Sequence, residues 1–84
     1  MVEAAVRLTL YSRAYCHLCH EMLVALEALR AELRFNLEVL DVDSDPALER
    51  RLGEDVPVLM HEERELARHR LEPALVRAYL AEIR

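Results

Sequence analysis

An α/β fold with the element order β-α-β-α-β-β-α and a mixed sheet is what this sequence predicts, and three observations carry the prediction. Short apolar runs with strand character recur over residues 6–11, 35–42 and 56–60. Between and after them, apolar residues fall at helical spacing. The 84 residues, 54% hydrophobic and 32% charged, amount to a single globular domain spanning 1–84 with room for only a thin core.

Val6-Arg7-Leu8-Thr9-Leu10-Tyr11 alternates apolar with polar side chains, as a half-buried strand does. A short break, Ser12-Arg13-Ala14-Tyr15, follows. From His17 onward Leu18, Met22, Leu26, Leu29 and Leu33 form the stripe of an amphipathic helix that leaves Glu21, Glu27, Arg30 and Glu32 to solvent. The second strand, 35–42, comes after a crossover long enough to make the pair parallel. Asp43-Ser44-Asp45-Pro46 supplies capping side chains and a first-turn proline for a short helix over 47–52, which Gly53, the only glycine, is placed to end. Helix capping accounts for Asp41, Asp43 and Asp45 more simply than a cation site does. Residues 56–60 read as a strand beginning at a proline, with 65–68 as its antiparallel partner across a turn at 61–64. That turn lacks the glycine, asparagine or proline of a tight hairpin. Glu72-Pro73 opens a last helix with Leu75, Val76, Tyr79, Leu80 and Ile83 on its apolar face.

Both cysteines, Cys16 and Cys19, sit where the first strand gives way to the first helix. Residues at i and i+3 of a helix share a face, roughly 5–6 Å apart at Cβ. A disulfide needs Cα atoms about 4.4–6.8 Å apart, so the pair is placed to open and close. Cys16 falls at the N-cap, where the amides of Leu18 and Cys19 and the helix dipole stabilise an anion on sulfur. The thiolate is the nucleophile. Cys19, inside the first turn, is expected to be less exposed and to keep a more ordinary acidity. Cys16 therefore attacks and Cys19 resolves.

Tyr11-Ser12-Arg13-Ala14-Tyr15-Cys16-His17-Leu18-Cys19 resembles the active-site stretch of glutaredoxins, and the element order is similar to that of the glutaredoxin-type thioredoxin fold, a three-layer sandwich on a four-stranded mixed sheet. Closer still is the similarity to short bacterial glutaredoxin-like proteins without an assigned role, through Cys-His-Leu-Cys, Asp41-Val42-Asp43 and the Val-Pro-Val-Leu strand. The resemblance implies that Cys16 is the nucleophile, Cys19 the resolving cysteine and Pro57 a cis-proline facing them. It implies that Val56 offers backbone hydrogen bonds to an extended substrate. Arg13 matches the basic residue that helps hold the thiolate and a glutathione carboxylate, and its charge would lower the Cys16 pKa from within about 4–6 Å. The chain departs from glutaredoxins at His17 and Leu18 between the cysteines, and at Asp55 before the valine-proline pair. Arg68-His69-Arg70 replaces the glycine pair that cradles the γ-glutamyl end of glutathione. General disulfide exchange needs only the dithiol, the helix start and the proline.

The implied activity is a thiol:disulfide oxidoreductase that needs no prosthetic group and acts on a disulfide-containing protein or a small thiol, with glutathione one candidate. Other readings stand beside it. Cys16-His17-Leu18-Cys19-His20 also fits the Cys-x-x-Cys-His pattern of covalent haem attachment, with Met60 as a second ligand. Zinc or a transient metal would use the same sulfurs, although four ligands at helpful spacing are lacking. A thioredoxin-type fold serving only as an interaction module is the third. His17 either tunes the thiolate or is merely solvated, since its positive form favours the anion while the helix start disfavours it. Tyr15 either shields the sulfur and touches substrate or packs as an ordinary aromatic. His20, His61 and His69 read as surface residues. A formal charge of −5 with interspersed signs argues against nucleic acid. No apolar window spans a membrane, and Met1-Val2-Glu3-Ala4-Ala5 lacks a secretory leader, so a cytoplasmic protein is expected.

Overall fold

The computed structural model describes residues 6–83. The opening segment, read above for a leader, lies outside them. Strand β1 (Arg7–Ser12) leads into helix α1 (His17–Leu33), then β2 (Asn36–Asp41), a 3₁₀ turn (Val42–Ser44), α2 (Pro46–Leu52), β3 (Val58–His61), β4 (Arg64–Arg68) and α3 (Pro73–Ile83). The strands form one mixed sheet in the order β2-β1-β3-β4, with β1 and β2 parallel and the other pairs antiparallel. This is the expected fold. The alternation of β1 sends Leu8 and Leu10 to one face, where with Leu59 they meet Met22, Leu26 and Leu29 of α1 and Val76 and Leu80 of α3. Tyr11, on the other face, packs near Leu48 and Leu52 of α2. Three layers result.

Several local expectations change. The register pairs His61 with Arg64, so the hairpin turn shrinks to Glu62-Glu63, and Glu62 takes the left-handed φ of 55° that a glycine or asparagine would have announced. Gly53 does end α2, as expected, and it does so in the ordinary right-handed region (φ −57°, ψ −33°). The glycine answers to space. A Cβ there would lie 2.6 Å from the Glu49 carbonyl oxygen. On α3, Val76 and Leu80 are buried, whereas Leu75 and Ile83 are 58% and 40% exposed. Leu75 falls on the helix flank, and Ile83 on the last turn, beyond the core. His61 is not a plain surface residue: Nδ1 shares a 2.5 Å hydrogen bond with the Tyr79 hydroxyl, which ties the hairpin to α3. The Arg64 guanidinium lies over the same tyrosine ring, 5.2 Å from its centre.

Candidate redox site

The site forms at the end of β1 where the chain turns into α1. Ala14 and Tyr15 make that turn, with Tyr15 at φ 57°. Cys16 is the N-cap of α1, in extended conformation (φ −111°, ψ 107°), and its Sγ accepts the Cys19 amide at 3.1 Å. Cys16 and Cys19 are joined in a disulfide with Cα atoms 5.2 Å apart. No acidic residue occupies the first turn of α1, so nothing there opposes the positive end of the helix dipole. Cys19 is 3% exposed, and Cys16 is partly open to solvent.

Antiparallel pairing brings a second segment to the dithiol. Tyr11 of β1 lies opposite Val58 of β3, so the residues just before Val58 reach the same end of the sheet. The Val56–Pro57 peptide bond is cis. Val56 packs with Cys19 and Val42 in a small cluster that also takes in Tyr11, Cys16, Leu48 and Leu52. The segment is held from both sides. Asp55 accepts Arg68 at 2.9 Å, and the His69 amide donates to the Pro57 carbonyl at 2.8 Å, with His69 at a left-handed φ of 69°.

The remaining residues singled out in the sequence fall as follows. Tyr15 is fully exposed, which removes the packing alternative. His17 is exposed and pairs with Glu21 one turn along, at 2.8 Å. His20 is exposed on α1, while Met60, half-buried on β3, pairs in register with Thr9. Among the described residues no cluster of three or more His, Cys, Asp or Glu is arranged to hold a metal ion. Nor, among them, is any helix long and apolar enough to cross a membrane.

Arg13 is tied to residues far along the chain. Its guanidinium makes a two-pronged contact with Asp43 (2.6 and 3.2 Å), donates to the Gly53 carbonyl at 2.7 Å and reaches Glu49 at 3.4 Å. The hydrogen bonds from Arg13 hold the Asp43 carboxyl below the usual carboxylate range, and those to Asp43 hold the guanidinium above its own. Of the acidic trio, Asp41 caps the 3₁₀ turn and Asp45 caps α2, each through a backbone amide, while Asp43 belongs to Arg13. Glu49 and Gly53 had no mark in the sequence as partners of the site.

Comparison with solved structures places this arrangement among known folds. The chain is similar to protein Ne2328 from Nitrosomonas europaea, with 34% identity and TM-score 0.79 over 94% of this chain and 95% of that one. It is similar also to protein XcR50 from X. campestris, with 36% identity and TM-score 0.72 over 89% and 96%. Thioredoxin 1 from Thermosipho africanus shares the fold at 20% identity and TM-score 0.64, over 92% of this chain and 97% of that one. No curated protein matches the chain. A helix-capping dithiol beside a cis-proline on this sheet is thus found together with a match to one family model, the glutaredoxin-like domain (DUF836), over residues 7–81, and the chain belongs to that family.

Proposed function

We propose that the chain is a thiol:disulfide oxidoreductase that uses Cys16 as nucleophile and Cys19 as resolving thiol. The observation that carries this reading is the Cys16 sulfur at the start of α1, bonded to Cys19 and touched by the Cys19 amide. In the reduced protein the same amide would favour the Cys16 thiolate. That thiolate attacks one sulfur of a substrate disulfide, the Cys16–substrate S–S bond forms, and the other substrate sulfur leaves as a thiolate that takes a proton. Cys19 then loses its proton and attacks Cys16, which releases the second substrate thiol and closes the protein disulfide. Two electrons pass to the substrate. A low-molecular-weight thiol, glutathione among the candidates, or a reductase protein returns them.

The backbone of Val56 beside Pro57 is the place for an extended substrate segment, because the Val56 side chain packs on Cys19. Tyr15, exposed next to the nucleophile, offers an aromatic contact to a substrate protein. His17 is the tuning residue, with Glu21 as its partner. In the test, reduced Cys19→Ser protein is mixed with a small disulfide and with a disulfide-bonded protein. Mass spectrometry is expected to find one mixed disulfide, on Cys16, and Cys16→Ser is expected to abolish exchange. Equal reactivity of the two thiols, or a Cys16 pKa at the free-cysteine value of about 8.5, overturns the reading.

A further inference from the structure

The dithiol is packed by an apolar shell whose members come from three elements and one connecting segment: Tyr11 of β1, Val42 of the 3₁₀ turn, Leu48 and Leu52 of α2, and Val56 just before β3. Around that shell runs a polar ring made of its sequence neighbours. Asp43 follows Val42, Glu49 follows Leu48 and Gly53 follows Leu52, while Arg13 comes two positions after Tyr11. All meet at one guanidinium: Nη2 and Nε on the two Asp43 oxygens, Nη1 on the Gly53 carbonyl, Nη2 on Glu49. A forked contact of this kind fixes orientation as well as charge.

Arg13 stands three positions before Cys16, so chain geometry alone keeps their Cα atoms within about 11 Å. A bare unit charge at that range would stabilise a sulfur anion. Here the cation lies between two carboxylates and the local sum is negative. The group within reach of the sulfur is an amide, that of Cys19, which would support the anion once the disulfide is reduced.

Resting on the disulfide-exchange reading, we propose that Asp43 and Glu49 are positioning residues of the redox centre: by holding Arg13 on the Gly53 carbonyl they mask its charge from Cys16 and so set how readily the reduced sulfur releases its proton to solvent. The resemblance to glutaredoxins implied a basic residue acting on thiolate and substrate, and in this chain that residue is turned into a strut.

The other charged or titratable groups on the segments around the dithiol include Tyr15 next to Cys16, His17 paired with Glu21, His20 on α1, Tyr11 on β1, Asp55 paired with Arg68, and His69 at the Pro57 carbonyl. None changes in the variants below. The full-length reduced chain is titrated at low salt, following thiolate absorbance and the rate of alkylation by iodoacetamide. Asp43→Asn and Glu49→Gln are expected to lower the Cys16 midpoint, and Arg13→Met to raise it, by roughly half to one pH unit in each direction. Asp43→Asn should move it further than Glu49→Gln, because its contacts are shorter. High salt should shrink all three shifts. Loosening of the loop alone would move every variant the same way, so shifts of one sign, or none, overturn the proposal. Should Asp43→Asn fail to fold, Glu49→Gln against Arg13→Met gives the same comparison of signs. An unaltered chain that exchanges no disulfide would defeat the functional reading and leave the titration signs standing, so the two failures are told apart.

Discussion

Replacing Gly53 by alanine sets two physical effects against each other. The residue caps α2 at φ −57° and ψ −33°, a conformation that alanine adopts freely, so backbone entropy favours the substitution by about 0.4–1 kcal/mol. Space opposes it. The new Cβ would stand 2.6 Å from the Glu49 carbonyl oxygen and 2.7 Å from Glu49 Oε2. The side-chain oxygen can swing away, but the carbonyl accepts the Gly53 amide at 2.8 Å and cannot retreat without stretching the last turn of α2. The Gly53 carbonyl is itself held by Arg13 at 2.7 Å, which blocks the opposite movement. Overpacking against fixed backbone typically costs about 1–3 kcal/mol, which leaves a net loss of about 1–2 kcal/mol. For a domain of this size that is a fall in Tm of roughly 5–12 °C. Thermal and urea unfolding of Gly53→Ala beside the unaltered chain gives the answer. A variant as stable as the parent, or more so, would show that the close approach does not constrain the cap.

Leu59 is wholly buried at the centre of the main core, and Leu59→Ala should lose about 2–5 kcal/mol in urea unfolding, whereas Val24→Ala at a 57% exposed position should stay within about 0.5 kcal/mol. Hydrogen bonds from Arg77, Arg13 and Arg68 hold the carboxyls of Glu32, Asp43 and Glu65 below their ordinary range. Their stabilising contribution is therefore complete above the unfolded-chain values near about 4 and is lost as pH falls through the lower folded values, so acid unfolding curves should shift toward neutral pH in high salt. Tyr15→Asn should raise stability by up to about 1 kcal/mol, since asparagine tolerates the left-handed φ and no buried area is lost. The same variant should slow exchange with a protein disulfide, and an unchanged rate would remove Tyr15 from the substrate contact.

The parts of the fold that the sequence made legible are those set by local periodicity. Leu18, Met22, Leu26 and Leu29 announce α1, and the alternation through Leu8 and Leu10 announces β1 and its buried face. Boundaries were less legible where a residue accepts an unusual backbone, as Glu62 does at the hairpin, because no side-chain type marked the turn. At the site, the dithiol and the helix start could be read because both lie within four successive residues. The Arg13 clamp could not. Its partners lie 30, 36 and 40 positions away, and only the closing of the α2 layer over the sheet brings them to one guanidinium. The role of His61 is hidden for the same reason, since Tyr79 comes 18 positions later on another layer.

The last strand of the sheet bears on how copies of this chain meet one another. Among the described residues no strand lies along the outer margin of β4, and such a margin invites another chain to stitch on. Its sequence, Arg64-Glu65-Leu66-Ala67-Arg68, answers with ions, and the ladder slips between Leu59 and Met60, so the ribbon bends at its middle. A visiting strand would have to follow that bend while crowding guanidinium groups, which makes fibre-like stacking through this margin unfavourable even in concentrated solution.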